Sequence, residues 1–153
     1  MMSPKIIGAV ALVVLILVII YVATRPPKGL YILNPGNLAF NGKDYTGGKT
    51  YADAKATVEG LGGVVATKSQ LLAGLAKGWN NCAWGWVIDD SDPKNPVPRG
   101  MYASISTDKG CGGDGDKKQG GLQITSDDQS LHWCPVGYGP RPDGIPDSAW
   151  LQL

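Results

Sequence analysis

The stretch from Ile6 to Ala23, IIGAVALVVLILVIIYVA, runs 18 residues without a charge. As a helix it rises about 1.5 Å per residue to roughly 27 Å, enough to cross the hydrocarbon of a bilayer. Aliphatic side chains surround the whole turn and leave no polar face of the kind a surface helix of a soluble domain carries. A cleaved signal peptide is the competing reading. The run is longer than a usual signal core, however, and the exit YVAT puts bulky Tyr21 where a small residue should precede the cut. The expectation is an uncleaved signal anchor: residues 1–5 a stub, 6–23 the transmembrane segment, 24–29 a stiff spacer begun by Pro26-Pro27. Lys5 with the amino terminus on one flank and Arg25 with Lys28 on the other nearly balance, so charge bias assigns no orientation.

Beyond the spacer the chain is long enough for one domain. The sequence has 14 basic and 13 acidic residues, and three of the basic ones precede position 29 with no acidic neighbour, leaving 11 against 13. That balance argues against nucleic acid as a partner. One His and three Cys limit the metal or nucleophile chemistry that could be assembled.

Local signals place the elements of an α+β domain. Leu30–Leu33 reads as a short strand, followed by a Pro/Gly/Asn loop through Gly48. Thr50 with Asp53 has the spacing of a capped helix start, and Tyr51, Ala54, Val58 and Leu61 continue one helical face until Gly60, Gly62 and Gly63 close it. Val64–Ala66 reads as a buried strand. Thr67 and Gln70 form a second capping box, opening a helix that stops at Gly78. Strands are expected at Trp84–Ile88 and Met101–Ile105, with weaker ones at Gly121–Thr125 and Leu131–Cys134.

Several of these passages, in this order, resemble the Link module, the hyaluronan-binding branch of the C-type-lectin-like fold. They are Ala54 on the first helix, Gly62-Gly63-Val64-Val65-Ala66-Thr67 leading to Gln70-Leu71, Cys82-Ala83-Trp84-Gly85-Trp86 with Asp89 after it, and Cys111-Gly112-Gly113. Pro96-Val97-Pro98-Arg99 echoes a further family passage in contracted form, and the likeness covers about residues 30–135. It implies a head of two helices and small antiparallel sheets. Residues 136–153 lie outside the likeness; rich in Pro and Gly yet apolar at the end, they are expected as a docking tail that packs onto its own domain or another protein. The likeness also implies a disulfide between Cys82 and Cys111. Closing a loop of about 30 residues would stabilise the head by roughly 3–4 kcal/mol. Val58 stands where the family's first Cys belongs, so Cys134 loses its partner and is left unpaired or free for an intermolecular bond. Three unpaired thiols in a reducing compartment are the alternative. The interval Gly100–Gly110 is wider than the family's spacing.

The resemblance also implies a glycan groove. Lys43 and Tyr45 are the nearest match to the family's basic residue and Tyr before the first helix, although Asp44 intervenes; Arg99 and Tyr102 would border the same groove. Ordinary solvent-exposed pairs are the competing account of all four. The Trp residues could form a carbohydrate platform, but Trp84 and Trp86 are expected on opposite faces of one strand, and packing is the default for them. Asp114-Gly115-Asp116 and Asp89-Asp90-x-Asp92 lack the full oxygen series of a calcium loop. His132 has neither a zinc companion nor a nucleophile partner in the spacing. No metal, cofactor or catalytic residue is expected.

The expected function is therefore a non-catalytic, single-pass membrane protein. Its bilayer contact is 6–23, and its head packs against protein neighbours in a larger assembly. The layout is similar to that of small membrane-anchored virion proteins of large icosahedral DNA viruses, which implies a place between inner membrane and capsid. The alternative is a glycan-binding attachment protein at a cell or virion surface.

Overall fold

The computed structural model describes residues 4–33, 39–40, 43–44, 48–104, 121–125 and 127–153. Of residues 4–5, 39–40, 43–44 and 81–82 it describes the backbone alone. Helix α1 (Pro4–Ala23) is followed by β1 (Lys28–Ile32), a small hairpin of β2 (Ala39–Phe40) and β3 (Lys43–Asp44), and α2 (Tyr51–Gly60). Then come β4 (Val64–Val65), α3 (Lys68–Ala76), β5 (Asn81–Asp89), β6 (Val97–Ser104) and β7 (Gly121–Ile124). The chain closes with β8 (Cys134–Pro140), a single 3-10 turn at Asp147–Ala149 and β9 (Trp150–Gln152). The main sheet runs β7-β6-β5-β8-β1-β9, with β4 added to β8. Its pairs are antiparallel except β5 with β8.

The α+β class follows from local chemistry that the sequence displays. At the start of α2, the Asp53 N–H donates to Thr50 Oγ1 at 3.3 Å and the Thr50 hydroxyl donates to Asp53 Oδ2 at 2.8 Å. Thr67 and Gln70 form a reciprocal capping box at α3, each backbone N–H bonded to the other's side chain at 2.9 and 3.3 Å. Gly62 and Gly78, just past the two helices, sit at φ +78° and +91°, where a side chain would be strained.

Strand β1 is buried on both faces, which is why its run Leu30–Leu33 is apolar without alternation. Leu30 and Ile32 face a core completed by Leu71 of α3, Val87, Met101 and Val136. Tyr31 and Leu33 face a second core with Val58 of α2, Ile145 and Ala149. The sheet is thus covered by α3 on one side, and by α2 and the C-terminal segment on the other.

Two expectations need correction. Residues 136–153 pack onto their own domain, one of the two expected outcomes, but as strands of its sheet rather than an appended tail: β8 crosses the expected boundary and spans all of β1, and Trp150–Gln152 adds a further strand on the other side of β1. The strand expected at Leu131–Cys134 is displaced, beginning at Cys134 and running to Pro140. In both cases pairing with β1 fixes the strand, and local composition, rich in Pro and Gly, gives no sign of it.

Candidate functional site

A row of aromatic rings crosses the face of β5 and β6 away from α3. Gly85 and Val87 point into the α3-side core, where Gly85 leaves room for Val136. Trp84 and Trp86 point the other way, both against Trp133. Trp86 and Trp133 stack with centroids 5.3 Å apart, Trp84 lies 5.5 Å from Trp133, and Tyr102 meets Trp84 edge-on at 4.6 Å. Tyr51, at the start of α2, meets Trp86 edge-on at 5.7 Å. The expectation of opposite faces for Trp84 and Trp86 is corrected here, because a step of two residues along a strand returns to the same face.

One carbonyl organises this row. Lys49 O accepts from the Trp133 backbone N–H at 3.0 Å and from the Trp86 indole at 2.7 Å, while the Lys49 N–H donates to Trp133 O at 2.9 Å. Trp86 is fully buried, Trp133 half-buried, and Trp84 is 37% exposed. Tyr102 is 2% exposed and its hydroxyl finds no hydrogen-bond partner among the described residues; burial pushes its ionisation above the usual tyrosine range. The arrangement offers the edge of one indole and a rigid aromatic bed.

Arg99 and Tyr102, expected to border one groove, are not brought together. Arg99 stands opposite Val87, whose side faces α3, whereas Tyr102 meets Trp84 on the other face. Arg99 points to the start of α3, with Nε 3.5 Å from Asp89 Oδ2 and Nη1 4.0 Å from Asp127. Lys68 lies 3.5 Å from Asp89 and donates to Ser91 Oγ at 2.7 Å, and the Ser91 hydroxyl donates to Asp89 at 2.6 Å. That hydrogen bond from Ser91 leads the causes that hold the Asp89 carboxyl below its ordinary range, with Lys68 assisting against desolvation. Ser91 with Lys68 has the residue types of a nucleophile and base. Lys68 of α3 and Ser91 of the β5–β6 turn both meet Asp89, so the cluster is a clasp between α3 and that turn.

Tyr45, Cys111 and Asp114-Gly115-Asp116 lie outside the described residues, and Lys43 and Cys82 are described by backbone alone. The expected Cys82–Cys111 bridge and the Lys43/Tyr45 pair therefore remain expectations. Cys134 is a free thiol, 7% exposed in the α3-side core, and burial pushes it up to about 11. Val58 is buried in the other core. Among the described residues no group of three metal-ligating side chains converges.

The C-terminal segment is held by Arg141. Its Nη2 donates to Ile145 O at 2.7 Å and lies 2.6 Å from Asp147 Oδ1, and the guanidinium sits 5.5 Å from the Trp150 ring. At the other end of the chain, Ile6–Ala23 is long and apolar enough to cross a membrane, and none of it is buried against the head.

Neither a scan against models of known protein families nor a search of curated proteins finds a match to this chain.

Proposed function

We propose that this chain is a non-catalytic, single-pass membrane protein whose Link-like head is displayed close to the bilayer and packs against protein neighbours in a larger assembly. The observation that carries the reading is the contrast between α1 and the rest. Eighteen consecutive apolar residues are wholly unburied, and a folded head begins at Lys28, five residues after they end. Water does not tolerate that much exposed hydrocarbon on one element, and a bilayer does. The Link likeness draws support from two capped helices after the first strand and from antiparallel pairing that brings the C-terminal strands back to β1. The virion setting rests on the anchor-and-head layout alone. Flotation of the full chain with phosphatidylcholine vesicles, resistant to alkaline carbonate, tests the anchor. Cross-linking in the native membrane followed by mass spectrometry tests for protein neighbours. Recovery in the soluble fraction would overturn the reading.

The exposed indole of Trp84 on its aromatic bed favours a second reading, glycan binding by the head. Exposed indole beside further aromatic rings is the kind of apolar surface that a pyranose ring packs against. Hyaluronan and glycan-array binding by the detergent-solubilised chain should then fall on Trp84→Ala, and on Lys43→Ala or Tyr45→Ala if the family groove is used. A flat array at high protein concentration would dismiss it.

A further inference from the structure

Resting on the membrane-anchor reading, we infer that the end of the head nearest α1 is a docking face for the anionic headgroups of its own bilayer, contacted through Arg25, Lys28 and Lys77. The short tether keeps this end of the head near the membrane surface. Helix-type hydrogen bonds continue past α1, from Thr24 N to Ile20 O at 2.9 Å and from Arg25 N to Val22 O at 3.4 Å, which leaves Pro26 and Pro27 as the span between anchor and head. Two prolines in extended form hold Lys28 about 10 Å from Arg25, close to one screening length at physiological salt.

The fold gathers further groups at this same end. Leu153 N donates to Lys28 O at 3.3 Å, and β9 places Gln152 against Gly29. The Lys77 ammonium, just past α3, donates to Gln152 O at 3.4 Å. Arg25 is stacked on Tyr21 at 4.2 Å and donates to its hydroxyl, an aromatic and cationic pair at the end of an apolar helix.

Ion pairing separates these cations from most of the others. Lys55, Lys68, Arg99 and Arg141 each have a carboxylate within 4.0 Å. Among the described residues Arg25, Lys28 and Lys77 have none, and all three are exposed. The carboxylates of Asp89, Asp90 and Asp92 gather at the β5–β6 turn, while Asp143 follows the end of β8 that pairs with Lys28. Three exposed cations with no paired carboxylate complement a phosphate layer beside the anchor, and each adds attraction that salt weakens.

The test is amine acetylation of the full chain reconstituted in phosphatidylcholine vesicles, with or without phosphatidylglycerol, read lysine by lysine by mass spectrometry. Lys94, exposed in the β5–β6 turn, is the internal reference. The expected result is acetylation of Lys28 and Lys77 slowed about fivefold by the anionic lipid and restored by high salt, with Lys94 unchanged. Lys77→Gln touches only an exposed bond, and should lower the protection of Lys28 while leaving flotation intact. Equal rates at Lys28 and Lys77 in the two lipids, or equal protection of Lys94, overturn the docking face while the anchor stands. Failure to float with phosphatidylcholine overturns the anchor and this inference with it.

Discussion

The indole ring of Trp133 lies against Gly100 in the space a Cβ would occupy at that position. Gly100 is on β6, directly opposite Trp86 in the β5–β6 pair, so the absence of a side chain there lets Trp133 lie flat and stack on Trp86. Gly100→Ala must push the ring away or bend β6. Overpacking of this kind costs about 1–3 kcal/mol. Urea unfolding should show the loss, and the tryptophan emission of the folded variant should shift to the red as Trp133 and Trp84 gain water. An unchanged spectrum and midpoint would mean that Trp133 is not held there.

Cys134 gives a prediction about alkaline pH. Its thiol is pushed up to about 11 by burial, against an ordinary value of 9.0. The unfolded chain releases this proton first, so the contribution to stability is complete below about pH 9 and disappears as pH rises towards 11. At two units the contribution is on the order of 2–3 kcal/mol. The difference in unfolding free energy between wild type and Cys134→Ala should therefore shrink across that window, while other ionisations cancel between the two proteins. At pH 8 alkylation of Cys134, located by mass spectrometry, should proceed no faster than unfolding.

Much of the head can be read from short range because its determinants are short-range. Thr50 with Asp53, Thr67 with Gln70, and the glycines at 62 and 78 act within one helical turn, and they appear where the spacing puts them. Leu30–Leu33 reads as a strand because burial on both faces removes alternation. The rest depends on register between distant segments. Trp150–Gln152 becomes a strand only because β1 offers an edge, and its Pro/Gly-rich approach looks like a tail. Trp133 joins the aromatic row only through its two hydrogen bonds with Lys49, which no local pattern announces. Arg99 is visible in its Pro-Arg passage, but its counter-ion Asp89 is set by the pairing of Asp89 with Val97.

The closure of the C-terminus should depend on Arg141 far more than on Asp147. The ion pair between them is short, but the Asp147 side chain is 93% exposed, and solvent screens such a pair almost completely. The bond from Arg141 to Ile145 O and the stacking on Trp150 are better sheltered. Arg141→Ala is expected to cost about 1–2 kcal/mol from the charged hydrogen bond and the ring contact. Asp147→Ala should leave the unfolding midpoint almost unmoved. Hydrogen exchange should locate the Arg141→Ala effect in residues 141–153, with β5 and β6 unaffected. Equal losses for the two variants would assign the clasp to the ion pair.

Asp89 predicts the behaviour in acid. Its carboxylate accepts from Ser91 and faces both Lys68 and Arg99, and its ionisation lies below the ordinary 3.8. A carboxyl lowered by folding contributes stability that is present above the unfolded value and is lost as pH falls through the folded one. Asp89→Asn removes the negative charge that Lys68 and Arg99 share, and should cost about 1–2 kcal/mol at neutral pH. Because the variant has no carboxyl to protonate, its stability should change less than that of wild type below about pH 4. Paired urea titrations at neutral and acid pH measure the difference directly. A gap between the two proteins that stays constant into acid would show that Asp89 holds α3 to the β5–β6 turn by shape alone.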